Sequence, residues 1–553
     1  MSYKCFWFVS MLGLATFAGF CVGDEVILQR LIDEQRFDEA AKVASQQTDP
    51  DPLLGRIALA QLTSGSLDDS KSTMRSIQDP GALTSVAKQA KHALGGGTGA
   101  DFDTLINLIT NTVAPNSWDD VGGPGAIEAF PGGVFVDAKG VLRQSKVIKE
   151  KESFELEVAK RRAQRDLAKT DPRRPSELRM VSLTRLEREL KLRAAFDESP
   201  SEAMKHLAGL QSIRYLFLFP ESNECVIAGP AGDWNENQQG VAIGNHAPTL
   251  LLDDLVTLLR NARDNGSRFS CNISPKKSGL AATREFLARP RRPLKPRQTP
   301  RWVEEIRQTL GMQDIDVKGV HSGSHVAHVL VEADYHMKLI GMGLEPGVAG
   351  VESYLDLIPS NEIPKTMDVL RWWFTLRKNA IESNREGTAF VFAEDCVRLQ
   401  TENERVTKSG DRVHTGRSSE LNAEFAHRFT EHYDRLADEY PIYGQLRSLF
   451  QLALVAAVLE DPKTKSTLEW DTDWLVSSVT TAERNEATEV PSIVNHRVIN
   501  RRDVVVGVSG GVVVDAKGTL AQRNRVRDLT TMKSDHMTAQ PRISRSSSRW
   551  WWD

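Results

Sequence analysis

From Gly319 to Pro346 the chain reads GVHSGSHVAHVLVEADYHMKLIGMGLEP, and this stretch most narrows what the surrounding residues can form. Val326, Val329, Leu330, Ala333, Met337 and Ile340 recur three or four positions apart, the spacing of one apolar helix face. Ser324 fits the N-cap, because its hydroxyl can accept from the free N–H groups of a first turn, and Gly341 fits the C-cap. A strand reading stays open, since Val329, Val331, Ala333 and Tyr335 alternate with Leu330, Glu332 and Asp334. The helix-forming residues Ala327, Glu332, Met337, Lys338 and Leu339 favour the helix.

Beside the apolar face runs a second stripe, His325, His328, Glu332 and His336, with neighbours close enough to meet. Imidazole nitrogens and a carboxylate suit zinc or a similar ion. Two facts weigh against one site. The four residues straddle about three turns of about 5.4 Å pitch, too long a span for one ion on a straight helix. The short HExxH pattern of catalytic zinc is also absent. The plainer reading is a polar helix face. No catalytic or cofactor-binding residue is singled out. Asp253 and Asp254 suit acid/base work, but a helix N-terminus favours such carboxylates in any case. Cys271 lacks an adjacent base in the sequence.

A length of 553 residues allows roughly three domains of about 150 residues each. With 40% hydrophobic and 26% charged residues a packed core is feasible. The net charge of -4 makes no case for nucleic acid or an anionic membrane surface as partner.

Residues 1–23 read as a signal peptide. Lys4 gives a weak basic start, Phe6 to Phe20 is apolar, and Cys21-Val22-Gly23 ends in a small residue. Cys21 also invites lipidation, against which stands the bulk of Phe20. The apolar run falls short of the ~20 residues that span a bilayer. Phe450 to Leu459 stops at Glu460 and Asp461, so no transmembrane helix is expected in the mature chain. The address is then exported, periplasmic or envelope-associated. Of five cysteines, Cys5 and Cys21 lie in the leader. Cys225, Cys271 and Cys396 leave room for one disulfide at most.

The expected class is α+β in several parts. Residues 24–94 suggest helical hairpins, and EQRFDEAAKVA resembles part of a tetratricopeptide repeat. Gly95 to Gly99 reads as a linker. Residues 101–145 suggest a small α+β, βαβ-like module. Residues 146–196 are heavily charged, with a basic cluster at Lys160-Arg161-Arg162. Two larger α+β parts follow, 176–288 and 302–461, separated by the Pro/Arg-rich spacer 289–301; the second ends in long helices. In the first part, Tyr215 to Phe219 and Cys225 to Gly229 form a hairpin around PESNE, and a helix from Leu250 stops near Gly266. In the second, RWWF (371–374) precedes strands at 390–392 and 396–399. The GGVFVDAKG of 132–140 recurs as GGVVVDAKG in a β segment, 490–525, which raises the expectation that the two copies share a sheet. Residues 536–553, Ser/Arg-rich and ending in three tryptophans, read as a disordered tail.

Two resemblances add to this. LINLITNTVAPNSW, GGPGAI and FPGGVFV, within 101–142, resemble the small modules near the N-termini of secretins, which mediate assembly in the envelope. In order, MKHLAGLQSIRYLFLFPESNECVIAGPAGDW, LLLDDLVTLLR, SCNISPKKSGLA, HVLVEADYHMKLIGMGLEPGVAGVESYL, RWWF and FAHRFTEHYDRLADEYPIYGQLRSLF resemble a planctomycete-type family of exported proteins with a domain of unknown function, over about 181–461. That family implies no activity, cofactor or catalytic residue. In its pattern His325 has a counterpart, while His328 and His336 stand where arginine is usual. The expectation is a non-enzymatic envelope protein that binds or assembles with envelope or cell-surface proteins and needs no cofactor. The alternative is a hydrolase assisted by zinc on the histidine-rich helix.

Overall fold

A computed structural model describes residues 22–93, 126–130, 133–137, 171–234, 247–289, 298–359, 369–486, 488–499, 502–525 and 549–553. The leader to Cys21, the glycine linker, the charged run 146–170 and most of the spacer 289–301 lie outside them. The chain divides into two compact units. One spans 1–160, 188–199 and 543–548; the other spans 161–187, 200–542 and 549–553. The class is α+β.

In the first unit five helices follow one another: α1 (Val22–Asp33), α2 (Phe37–Ala44), α3 (Asp51–Thr63), α4 (Leu67–Met74) and α5 (Pro80–Ala93). Short turns join them; α1 packs on α2, α2 on α3 and α3 on α4, while α5 returns to pack on α3. Leu28, Ala40, Ala44, Leu54, Ile57 and Ala58 make the centre of their core. Gly55 sits where α3 meets α5; a Cβ there would come within 2.6 Å of Val86 Cγ2. Of the stretch 101–145 the described part is an antiparallel hairpin, β1 (Ala126–Phe130) with β2 (Gly133–Asp137).

The second unit holds two sheets. Along the chain come β3 (Ser176–Ser182), α6 (Leu183–Ala195, which continues into the first unit), β4 (Tyr215–Phe219), β5 (Glu224–Ala231), α7 (Leu252–Asn265) and β6 (Arg268–Pro275). Then follow α8 (Lys277–Ala288), α9 (Thr299–Leu310), β7 (Met312–Lys318), α10 (His325–Gly341), β8 (Val369–Leu376), β9 (Ile381–Ser383), β10 (Ala389–Phe392), β11 (Val397–Val406) and β12 (Arg412–Val413). The rest are α11 (Glu420–Glu431), α12 (Tyr433–Glu439), α13 (Pro441–Leu459), β13 (Glu489–Pro491), β14 (Val494–Ile499), β15 (Arg502–Asp515), β16 (Asn524–Arg525) and β17 (Trp551–Trp552). Helices shorter than seven residues carry no label.

One sheet runs β16-β9-β10-β4-β5-β3-β17, the other β12-β11-β8-β15-β6-β7-β13, with β14 paired to β15. The β4–β5 hairpin turns at Asn223, whose left-handed backbone (φ 52°) suits asparagine. β8 alternates strictly: Leu370, Trp372, Phe374 and Leu376 are buried, and their neighbours are half-buried. Trp372 is therefore a core residue, and RWWF lies in the same sheet as β11, one of the two strands it was expected to precede.

Residues 329–335 are helical, as their helix-forming residues favour, and α10 lays its apolar face across β6, β8 and β15. Several other expectations are corrected here. Gly341 belongs to α10 and the C-cap is Met342. Glycine is needed at 341 because a Cβ would lie 2.2 Å from Trp372 Cζ3. The two GGV copies fall in different sheets, one in β2 and one in β15. β15 runs antiparallel to β6 and parallel to β8, so the segments 176–288, 302–461 and 490–525 build one sheet rather than separate parts. Of the tail expected to be disordered, 536–548 lie outside the described residues, and 549–553 are ordered. Trp551 and Trp552 pair with Val181 and Met180 at the edge of the first sheet, and Ser182 N–H donates to Trp550 O. Among the described residues one helix, α13, is long and apolar enough to cross a membrane, and 94% of its 18-residue apolar window is buried. A helix apolar on all sides suits such a core position, and α13 packs against α7, α10 and α12.

Candidate functional site

Ser324 caps α10 as its sequence suggests, its hydroxyl accepting from Ala327 N–H at 3.2 Å. The four candidate ligands of this helix part company. His325 is buried, with Nδ1 2.9 Å from both carboxylate oxygens of Asp254 in the first turn of α7. His336 turns to α13. Its Nδ1 lies 2.9 Å from Tyr443 Oη, and its ring rests 4.5 Å from that of Tyr440. Burial there holds the imidazole below its ordinary value, with Glu345 acting the other way. His328 and Glu332 stay half exposed, 3.8 Å apart on one turn. Each histidine thus faces a different element, and the four donors do not converge.

Asp254 accordingly orients an imidazole. Its neighbour Asp253 accepts from Ala482 N–H at 3.1 Å, so the two carboxylates do not act as a pair. The three described cysteines, Cys225, Cys271 and Cys396, are free and buried, with no disulfide among them. Burial pushes all three thiols up, Cys396 to about 12, which disfavours the nucleophilic thiolate.

Under α10 lies a feature that helical spacing alone did not expose. Asp334 and Lys338, one turn apart and fully buried, sit with Oδ2 and Nζ 2.6 Å apart. The two form a close buried ion pair. Burial raises the Asp334 carboxyl, while Lys338 and the Gly511 N–H oppose the rise. Gly510 makes room for the pair: a Cβ there would stand 2.9 Å from Asp334 Oδ1 and 2.0 Å from Trp372 O.

Donor atoms do converge elsewhere. Glu402, Glu404 and His414 are, among the described residues, the one group of three metal-ligand side chains with donor atoms within 4.8 Å of one another. Two positions apart on β11, Glu402 and Glu404 share a face. The β11–β12 hairpin returns His414, whose Nδ1 lies 3.2 Å from Glu402 Oε2 and 2.9 Å from Glu404 Oε1. Two carboxylates and an imidazole are a chemically sound ligand set. Two guanidiniums already answer them, however: Arg371 at 3.4 Å from Glu402 and Arg412 at 3.2 Å from Glu404. Burial works to raise the Glu402 carboxyl, but the Gly416 N–H and His414 outweigh it and hold it below the ordinary value. The charges balance without a dication, so the cluster reads best as a clasp that fixes β12 to β8. The sequence signal for it was E-x-E on a strand followed by a turn and a histidine.

Comparison with known proteins places one segment. Residues 271–354 match a family described as Protein of unknown function (DUF1598). The match begins in β6 and runs through α8, α9, β7 and α10 to Tyr354, so it contains Lys338, Asp334 and all four candidate ligands. No curated protein and no solved structure matches the chain.

Proposed function

We propose that this chain is an exported binding or assembly protein of the cell envelope and acts without chemistry of its own. The observation that carries this reading is the run α1 to α5, consecutive helices packed through small buried residues, Ala40, Ala44, Gly55 and Ala58. Stacks of this kind present extended surfaces to peptides and proteins. Ile27 and Leu67, 50% and 40% exposed on that unit, are apolar anchors for such a partner. The resemblance of 101–142 to secretin-type modules, and of the larger part to planctomycete-type exported proteins, agrees with an envelope address.

The test is photo-crosslinking in the native envelope from Ile27 and Leu67. A reproducible protein partner, lost in Leu67→Asp, is expected. Recovery of the chain only as a free monomer sinks the proposal.

One observation favours the second reading, a metal-assisted hydrolase: the convergence of Glu402, Glu404 and His414. Metal content of untagged protein after dialysis against a weak chelator separates the two. The binding reading expects well under one equivalent. About one equivalent, lost in His414→Ala and kept in His336→Ala, replaces it with the hydrolase and moves the site from α10 to β11.

A further inference from the structure

The turn after β8, the start of β11 and one side of α11 line a cleft of about 510 Å³ in the second unit. It is wide open to solvent, so it suits a polar, hydrated ligand rather than an enclosed apolar one. Its lining is one-sided in charge. Arg377, Lys378, Arg398 and His427 border it, and no aspartate or glutamate does.

Two of these bases are already answered at the rim, Arg377 by Asp395 and His427 by Glu431 at 3.3 Å. The other two are not. Among the described residues Arg398 and Lys378 make no ion pair and no side-chain hydrogen bond, and Arg398 Nε is buried without a partner. A guanidinium stays charged at any ordinary pH, and buried polar groups nearly always find a partner.

The neutral lining narrows the ligand further. Asn379 and Gln400 offer amides with no protein partner among the described residues, while the Thr401 hydroxyl is taken by Ser418 Oγ at 2.7 Å. Ala423 and Ala426 of α11 leave space, and Leu399 is the one large apolar side chain. Such walls do not suit an acyl chain or an aromatic ring. They suit hydroxyl groups around one fixed negative charge.

We propose that this cleft binds an oxyanion carried on a polyhydroxylated molecule of mono- or disaccharide size. Arg398 and Lys378 hold the anion, and Asn379 and Gln400 read the hydroxyls. The oxyanion is a sugar carboxylate or a sugar phosphate, which present the same charge to the same fork of donors.

Isothermal titration of the full chain tests this with four probes: glucuronate, glucose 6-phosphate, inorganic phosphate and neutral glucose. Saturable binding of either sugar acid is expected, and the tighter of the two identifies the source of the charge. It should weaken at least about tenfold in Arg398→Gln, and again in Lys378→Ala. It should also weaken as salt rises from about 50 to about 300 mM. Because Arg398 has no side-chain partner among the described residues, Arg398→Gln should keep the parent's thermal midpoint, so lost binding is not lost structure. Three results overturn the proposal: no saturation by either sugar acid at about 10 mM, binding unchanged in both variants, or inorganic phosphate bound as tightly as the sugar acids.

Discussion

Arg179, wholly buried, donates to both carboxylate oxygens of Asp553 across 374 positions of sequence, 2.8 Å from Nε and 3.1 Å from Nη2. The same guanidinium donates to the carbonyls of Pro172, Ala208 and Arg174, and its carbon lies 4.6 Å from the centre of the Trp551 ring. This one side chain therefore ties the last residues of the chain to the edge of β3. Arg179→Ala strands several carbonyls and a carboxylate at once and should cost about 3–5 kcal/mol of stability. Asp553 is partly exposed, so Asp553→Asn should cost no more than about 1 kcal/mol. Urea unfolding of both variants checks the ordering. Equal losses would mean that the carboxylate, and not the ring of carbonyls, holds the arginine.

Asp334 and Lys338 make a sharper case, because neither side chain touches solvent. Taking one charge out leaves the other buried alone, so Lys338→Met should lose about 3–5 kcal/mol. The double variant Asp334→Leu with Lys338→Met removes both charges and should recover most of that loss. A double-mutant cycle by chemical denaturation measures the coupling. Additive single losses would show that the pair contributes nothing as a pair.

Local pattern and long-range choice explain what the sequence disclosed and what it did not. α10 was legible because six apolar residues repeat at helical spacing behind Ser324, and the β4–β5 hairpin because two apolar runs flank PESNE. The destinations of the histidines were not legible. His325 meets Asp254 from 71 positions away and His336 meets Tyr443 from 107, and no local spacing encodes either contact. The seat of β15 between β8 and β6 is a pairing choice made in three dimensions, so the GGV repeat, alike in letters, ends in different sheets. Glu402 and Glu404 stand at i and i+2 but beyond the strand expected at 396–399, which in the structure runs on to Val406. Their meeting with His414 and Arg371 required the hairpin and the neighbouring strand. The three terminal tryptophans read as a tail because composition carries no information about the arginine that receives them.

His206 supplies a pH dependence. It is buried, with Nδ1 2.8 Å from Thr249 Oγ1 and its ring stacked 5.0 Å from that of Trp234. Burial lowers it to about 4, with Glu202 acting against the shift. The folded state therefore binds this proton less readily than the unfolded chain. Its contribution to stability is fully present above about pH 6.5 and is lost as pH falls toward about 4, by at most about 3 kcal/mol. His206→Gln keeps a hydrogen-bonding group and removes the titration. Over that interval its stability should fall less steeply than the parent's, as read from urea midpoints at about pH 4.5 and 7. Parallel slopes would show that His206 titrates normally.

Gly510 gives the most restrictive prediction, because three constraints meet at one Cα. A Cβ would lie 2.0 Å from the Trp372 carbonyl oxygen, 2.9 Å from Asp334 Oδ1 and 3.0 Å from Lys338 Cε. The first of these neighbours is backbone in β8, which is paired in register with β15 at this position and cannot retreat without breaking the ladder. Gly510→Ala, the smallest change available, should therefore cost at least about 2 kcal/mol through forced displacement. Gly507, also on β15, has open space where its Cβ would go, and Gly507→Ala should be close to neutral. Thermal unfolding of the two variants side by side isolates packing from any general dislike of alanine in this strand. Similar midpoints for both would mean that β8 and β15 are farther apart in solution than the 2.0 Å contact requires.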